Sequence, residues 1–427
     1  MVSVTRSSAT PLPPAALVRG VIVCAAFVLH GTARGQTTIA DVQVDLFRGP
    51  VIANSRVIGL GGAYTGFAEG TAGIPFNPAS VAQRNYYSED WFDYDYDWDV
   101  LVTGALNGDS FDFFNSGNQA TDSFVAYAIG GHLQFGPFGI GAFISGVEVT
   151  VEQDDGDQFD TSLFEGRLAF GYALWGHRVV VGAAFVAGLL TLRETDNLLG
   201  FYRTPAFGGD FGVVLRPRSL PLRLGARFQT EFWTEDAGTC ADDRCPPDFV
   251  LPRTLAGPWQ ATIGLAWTPW DSRSALNPMP PYLVDPKPPG DPSYYPEEDL
   301  RNRYRGGRYV MVTADLRVVG KTEDGVSFEA LYLQEVIVSG QRATVSPRLG
   351  IESEVVRRRL RLRAGTYWEP GRIEGQSGRI HATAGVKVRM FAVRLPLWGW
   401  KSFSLLSSFD VARDYTNISV SIFSFWN

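Results

Sequence analysis

The feature that most constrains this fold is a two-residue alternation carried over segments longer than an ordinary strand. Over residues 222–233 one set reads Leu222, Leu224, Ala226, Phe228, Thr230 and Phe232, and the other Arg223, Gly225, Arg227, Gln229, Glu231 and Trp233. Over 379–392, Ile380, Ala382, Ala384, Val386, Val388 and Met390 alternate with Arg379, His381, Thr383, Gly385, Lys387 and Arg389. Leu360, Leu362 and Ala364 alternate with Arg359, Arg361 and Arg363. Successive strand side chains face opposite sides, so each segment has one apolar and one charged face. The runs last about 10 to 15 residues. A usual strand has about 5–6, and a tilted membrane-spanning strand about 9–11.

A soluble antiparallel sheet also alternates, so the connections have to discriminate. Short ones fall at 135–137, 174–177, 216–221 and 356–359. Longer polar ones fall at 153–160, 194–204, 234–257 and 369–377. Short periplasmic turns and long external loops mark outer-membrane barrels, and closure satisfies every backbone group inside hydrocarbon. Composition agrees. Charged residues make up 19% of the chain, below the roughly 25% of soluble domains, and aromatics 13%. A net charge of −7 speaks against a nucleic-acid binder led by a basic surface. The longest apolar run after residue 36 is 179–192, bounded by Arg178 and Arg193, short of the roughly 18 residues a membrane helix needs.

Arg6 and Arg19 precede the apolar run 21–29, and Ala33, Arg34 and Gly35 place small residues at a cleavage site. This predicts a secretory signal peptide over 1–35. Cys24 lies inside it without a lipobox. The mature chain keeps Cys240 and Cys245, which an oxidising compartment predicts as a small disulfide loop. Four histidines, at 30, 132, 177 and 381, are too few and too distant from that loop for a metal site; no metal or cofactor is expected.

Candidate strands fall at 98–106, 123–135, 138–151, 161–175, 178–193, 205–216, 221–233, 258–268, 307–319, 326–338, 344–356, 359–368, 379–392, 401–411 and 416–426. Single-chain bacterial barrels have even strand numbers. Counting inward from both termini allows only one of 307–319 and 326–338, and since 307–319 alternates better, 326–338 is assigned to external loop structure. The expectation is an all-β, transmembrane antiparallel β-barrel of fourteen strands over 89–427. Its cost is a proline-rich periplasmic excursion at 269–305, which cannot be a central strand. A further strand hidden there would make sixteen. The last strand ends in Phe423, Phe425 and Trp426 and resembles the signal read by the outer-membrane assembly machinery.

Residues 36–88 do not alternate. They hold Gly59, Leu60, Gly61, Gly62, Ala63 and Tyr64, then Asn77, Pro78 and Ala79. Glycine allows left-handed backbone and close approach, and Asn-Pro favours a turn. Such a compact segment ahead of a barrel belongs in the lumen as a plug. With Pro347 to Glu352 and Leu362 to Pro370, these residues make the sequence resemble the FadL family of outer-membrane transporters for long-chain fatty acids and other hydrophobic compounds. The resemblance implies a fourteen-stranded barrel closed by an N-terminal hatch, with Asn77, Pro78, Ala79, Gly59, Gly61 and Gly62 as hatch positions. It also implies apolar ligand sites in the lumen and a kinked third strand that opens the wall. PorV-like barrels of secretion systems share this N-terminal pattern, so a non-transporting scaffold is the alternative. The partners expected are outer-membrane lipids, a hydrophobic small molecule and, during biogenesis, the assembly machinery.

The strand at 178–193 is apolar on both faces. Val180, Ala184, Val186 and Leu190 are candidates for an apolar lumen lining; packing on the hatch explains them equally well. Gly139, Gly141 and Gly146 in the third strand are the candidate wall kink, since strand glycines often mark bends. Arginines at 223, 227, 348, 361, 363, 379 and 389 sit on polar faces, either as paired lumen charges or as a carboxylate-attracting path. The aromatic–Asp alternation at 91–99 fits strand entry with an interfacial girdle, with carbohydrate stacking as the alternative. Asp154 to Asp157 lacks the other ligands of a calcium loop. No nucleophile, phosphate-loop or metal motif appears, and no enzymatic activity is expected.

Overall fold

The computed structural model of the protein describes residues 43–83, 92–95, 102–104, 112–117, 121–152, 158–194, 202–217, 220–234, 254–269, 276–277, 309–333, 335–356, 359–395 and 399–426. The signal peptide, the Cys240–Cys245 loop, Asp154 to Asp157 and nearly all of the proline-rich excursion lie outside these residues.

The strands are β1 (Gln43–Asp45), β2 (Phe92–Asp95), β3 (Val102–Gly104), β4 (Thr121–Phe135), β5 (Phe138–Glu152), β6 (Gln158–Leu174), β7 (Val179–Glu194), β8 (Tyr202–Leu215) and β9 (Leu222–Gln229). They continue as β10 (Thr254–Ala256), β11 (Gln260–Trp267), β12 (Val310–Val319), β13 (Gly325–Val326), β14 (Thr344–Val356), β15 (Leu360–Glu369), β16 (Arg379–Leu395), β17 (Gly399–Ala412) and β18 (Tyr415–Trp426). Three short helices, α1 (Ser55–Ile58), α2 (Gly70–Gly73) and α3 (Ala330–Leu333), and a 3-10 turn (Pro78–Ala82) complete the described elements.

Antiparallel pairing runs in chain order from β4 through β5, β6, β7, β8, β9, β11, β12, β14, β15, β16, β17 and β18. Strand β18 then pairs with β3, and β3 with β4, so the ladder returns to its start after fourteen strands. The expected first strand at 98–106 appears as two pieces on one edge of β4: β2 opposite 132–135 and β3 opposite 125–126. The wall therefore begins earlier than the alternation suggested. As expected, 326–338 stays out of the wall, and β13 joins β1 and β10 in a separate three-stranded sheet. The wall is uneven in length: β6 has 17 residues but β9 and β11 have 8 each.

Alternation sorts the two faces. On β7, Phe185 is 53% exposed while Ala184 and Val186 are 5% and 0%. On β16, Ile380 is 67% exposed and His381 fully buried. Ile129, Leu168, Phe211, Leu224, Ile263 and Leu349, on six different wall strands, repeat the pattern. An outward apolar belt of this kind suits hydrocarbon, where pairing along a ladder satisfies backbone polar groups. The phase slips at the register shifts after Glu354 and Arg389, where Val355 and Val356, and Met390 and Phe391, are exposed in succession, and it fails again past β9. Beyond Gln229 the regular strand ends, and Trp233 is exposed while Phe232 packs inward against the core. The outward set predicted for 222–233 is thus right only up to Phe228.

The N-terminal segment lies against the inner face. Its first strand, β1, runs parallel between β10 and β13 at the end carrying the long connections. There Val44, Leu46, Phe113, Leu190, Leu255 and Phe328 belong to one buried cluster. A second cluster surrounds Tyr64, and a third joins Ala79 and Ala82 to Val180 near the short turns. The segment thus runs from the long-loop end towards the short-turn end.

The third strand is not kinked open. β5 pairs with β4 from Phe138 to Val151, with one register shift near Thr121, and with β6 from Phe138 to Glu152. Its glycines have a packing cause. A Cβ on Gly139 would strike Val81 and Ala82, one on Gly141 would lie 2.9 Å from Val81 Cγ1, and one on Gly146 would enter the Tyr127 ring. Close approach, not a wall gap, accounts for Gly139, Gly141 and Gly146.

Candidate functional site

The Asn-Pro-Ala motif builds a cap. Asn77 is the N-cap of the 3-10 turn, with its Oδ1 accepting from Ala79 N at 3.1 Å and Pro78 at the first turn position, where no N–H is needed. The same side chain donates through Nδ2 to the carbonyls of Thr65 (3.2 Å), Val213 (3.1 Å) and Ala226 (3.4 Å). It ties the segment to β8 and β9. The glycine box meets glycines of the wall. Gly61 and Gly62 have φ of +63° and +72°, and a Cβ on Gly61 would lie 2.8 Å from Thr366 O. A Cβ on Gly350 would lie 2.6 Å from Leu60 O, and Gly59 faces Gly385. Backbone thus packs on backbone across β14, β15 and β16, which side chains would prevent.

Val180, Ala184, Val186 and Leu190 are all buried and inward-facing. The structure does not gather them into one pocket. Val180 packs under Ala79, Ala184 joins the Tyr64 cluster, and Leu190 belongs to the long-loop-end cluster. They pack along the length of the segment, as the alternative to a ligand lining anticipated.

The charged residues divide into three groups. Arg56 of α1 donates to Glu352 through Nε (3.0 Å) and Nη2 (2.9 Å), and Arg363 and Tyr309 complete that carboxylate's partners. Burial disfavours the Arg56 cation, but Glu352, Tyr64, Tyr309 and Glu69 together more than offset this and raise its pKa well above the ordinary guanidinium value. In the second group His381 lies between Glu369 Oε2 (2.6 Å) and Asp410 Oδ1 (2.8 Å), with Tyr367 donating to Asp410 and Arg379 to Glu369. This network is buried throughout. His132 contacts Thr71, and His177 sits in the turn before β7 with φ of +66°. These are the lumen and turn roles expected.

The third group surrounds a cavity of about 100 Å3 between the segment and the short-strand side of the wall. Arg48, Arg167, Arg227, Arg317 and Arg348 line it, with Phe76, Phe143 and Phe232 as apolar neighbours. Arg227 chelates Asp210 through Nε (2.9 Å) and Nη2 (2.7 Å), and Glu165 takes both Arg48 (2.9 Å) and Arg167. Asp315 accepts from the backbone of Tyr64 (3.0 Å) and Thr65 (2.8 Å), clamping the segment. Sequence reasoning found Arg227 and Arg348 but missed Arg48, Arg56, Arg167 and Arg317. A lone arginine inside an apolar run, such as Arg167 between Gly166 and Leu168, was the available signal. Among the described residues no cluster of His, Cys, Asp and Glu could hold a metal.

No protein-family model matches the chain, and no curated protein matches it. Among solved structures, the CymD monoaromatic hydrocarbon channel superposes with a TM-score of 0.51 at 12% identity, covering 88% of this chain and 97% of that one. A FadL homologue from Pseudomonas aeruginosa matches with a TM-score of 0.44 at 12% identity, covering 88% of this chain and 98% of that one. At such identities the likeness is one of fold alone, and the chain has the fold seen in CymD.

Proposed function

We propose that the protein is an outer-membrane channel for the passive uptake of hydrophobic small molecules, with residues 36–88 acting as its hatch. The observation that carries this reading is a belted wall whose interior holds a segment fixed only by non-covalent contacts. CymD, which has the same fold, is a monoaromatic hydrocarbon channel. Small apolar solutes fit the reading better than long-chain fatty acids. A cavity of about 100 Å3 is smaller than the roughly 150 Å3 cavity that encloses benzene, so a long chain requires the segment to shift first. With the third strand fully paired, passage runs by displacement of the segment rather than through the wall at β5. No covalent step is involved. The test is uptake of radiolabelled toluene and oleate by cells with and without the protein. Faster toluene entry supports the channel. Unchanged entry of both, together with co-purification of a large periplasmic complex, replaces it with a scaffold role.

A further inference from the structure

We infer that the arginine-lined cavity is a binding site for a phosphate-class dianion. The charge count points there. Five guanidiniums stand around the cavity, and the carboxylates among them are Glu165, Asp210 and Asp315, leaving an excess of two positive charges. Glu165 and Asp210 are engaged by Arg48, Arg167 and Arg227. Asp315 is turned to the backbone of the segment. Among the described residues, neither Arg317 nor Arg348 has a carboxylate within ion-pair distance: Arg317 donates to Gln260 and lies over Phe47, and Arg348 donates to Ser346 and lies over Tyr367.

Hydrogen bonding points the same way. Arg48 Nη1, Arg167 Nε and Arg317 Nε are buried donors without partners, coming from the segment, β6 and β12. Buried donors of this kind are exceptional in native proteins, and an ion-binding role is one recognised cause. Arginine forks suit planar carboxylates and tetrahedral phosphates alike. Two features favour phosphate. Its charge near neutral pH, about −1.5 to −2, matches the excess. Asp315 Oδ1 is a buried acceptor without a partner on the same cavity wall. Hydrogen phosphate keeps an O–H to donate to it, whereas sulfate and carboxylates at that pH do not. The cavity's size fits such an ion with a little water, at about 30 Å3 per water. A small phosphate ester shares this chemistry only as its monoanion, because its dianion keeps no P–OH to donate. The inference does not depend on what the channel transports.

The test is thermal unfolding and calorimetric titration of the mature protein in detergent, in a buffer free of phosphate, sulfate and chloride. Inorganic phosphate should raise the midpoint and bind with one-to-one stoichiometry, while sulfate and acetate at equal concentration bind at least tenfold more weakly. Arg317→Gln should weaken phosphate at least tenfold without lowering the midpoint of the phosphate-free protein, because no carboxylate loses its partner. A merely structural Arg317 would instead lower that midpoint. Asp315→Asn serves as the second variant and should narrow the preference over sulfate. Glycerol phosphate, whose dianion has no P–OH, should bind more weakly than free phosphate, and equal binding would overturn the role given to Asp315 Oδ1. Equal stabilisation by sulfate, unchanged phosphate affinity in Arg317→Gln, or no phosphate response in the wild type would each overturn the assignment.

Discussion

Glu352 and Arg56 are joined by two hydrogen bonds, yet their removal should have unequal effects. Glu352 is fully buried and receives Arg56, Arg363 and Tyr309. Replacing it with Gln leaves Arg363 as a buried cation with no carboxylate in contact and Arg56 with Glu69 alone, at 3.8 Å. Breaking a buried pair by deleting one partner costs about 3–5 kcal/mol, and the upper half applies because Arg363 is stranded while Arg56 keeps only the more distant Glu69. Replacing Arg56 with Ala leaves Glu352 still held by Arg363 and Tyr309. The loss is then nearer that of charge-assisted hydrogen bonds, about 1.5–3 kcal/mol, together with the Arg56 stack over Phe67 at 4.7 Å. Urea unfolding in micelles, followed by tryptophan fluorescence, should rank Glu352→Gln as the more damaging by about 2 kcal/mol.

The same pair gives a functional readout. Arg56 is the charged tie between α1 and β14, so Arg56→Ala frees the segment while leaving the wall ladder intact. Single-channel recordings in planar bilayers should show larger or more frequent openings in Arg56→Ala than in wild type. Equal stability loss in the two variants, or an unchanged conductance in Arg56→Ala, would refute the reasoning that this network anchors the segment.

Asn77 combines a cap with three carbonyl contacts. Asn77→Ala should cost about 1–2 kcal/mol from the cap alone, and Asn77→Asp should keep the cap but lose the donation to Thr65, Val213 and Ala226; equal melting midpoints for Asn77→Asp and wild type would contradict the three-way tie. Near the long loops, burial first and Asp112 second push the Glu329 carboxyl up to about 7, against donation from Ser116. A carboxyl whose folded value is raised binds its proton more tightly when folded, so its contribution is fully present below about 4.5 and is lost as pH rises through about 7. The stability difference between wild type and Glu329→Gln should therefore change between those values and be flat outside them, as measured by melting at a series of pH values.

Much of this was legible in the sequence because it is local. Period-two alternation needs only neighbours, and it placed the start of β16 at Arg379 and kept 326–338 out of the wall. Capping spans three residues, so Asn77–Pro78–Ala79 announced its turn. Contacts that close over long sequence distances left no comparable trace. Arg56 and Glu352 are 296 positions apart and Arg48 and Glu165 are 117, and no periodicity pairs them. Gly139, Gly141 and Gly146 show why composition misleads. Glycine in a strand signals either a bend or a close neighbour, and only the position of Val81 and Tyr127 decides between them. The alternation at 230–233 failed for a related reason, since Phe232 follows the pull of the buried cluster rather than the phase of the strand.

The segment is not attached evenly, and that bears on how anything passes. Towards β14, β15 and β16 it meets the wall backbone to backbone, with glycine on both sides. Towards β17 and β18, Ser55 contacts Ser419 at 2.5 Å and Ser421 at 2.7 Å through hydroxyls. Towards β9 and β11 backbone contacts recur at Thr65 and Gly66, against Gly225, Gly264 and Leu265, but beside them, towards β12, long side chains surround a cavity. Side chains can change rotamer where packed backbones cannot slide without separating. On the channel reading, the route therefore opens on the cavity side while the glycine and serine contacts stay closed. A disulfide between cysteines replacing Ser55 and Ser419, in a chain without Cys240 and Cys245, pins the segment to β18. Toluene uptake by the oxidised variant should match that of its reduced form. Uptake abolished on oxidation and restored on reduction would mean that the whole segment has to leave the wall.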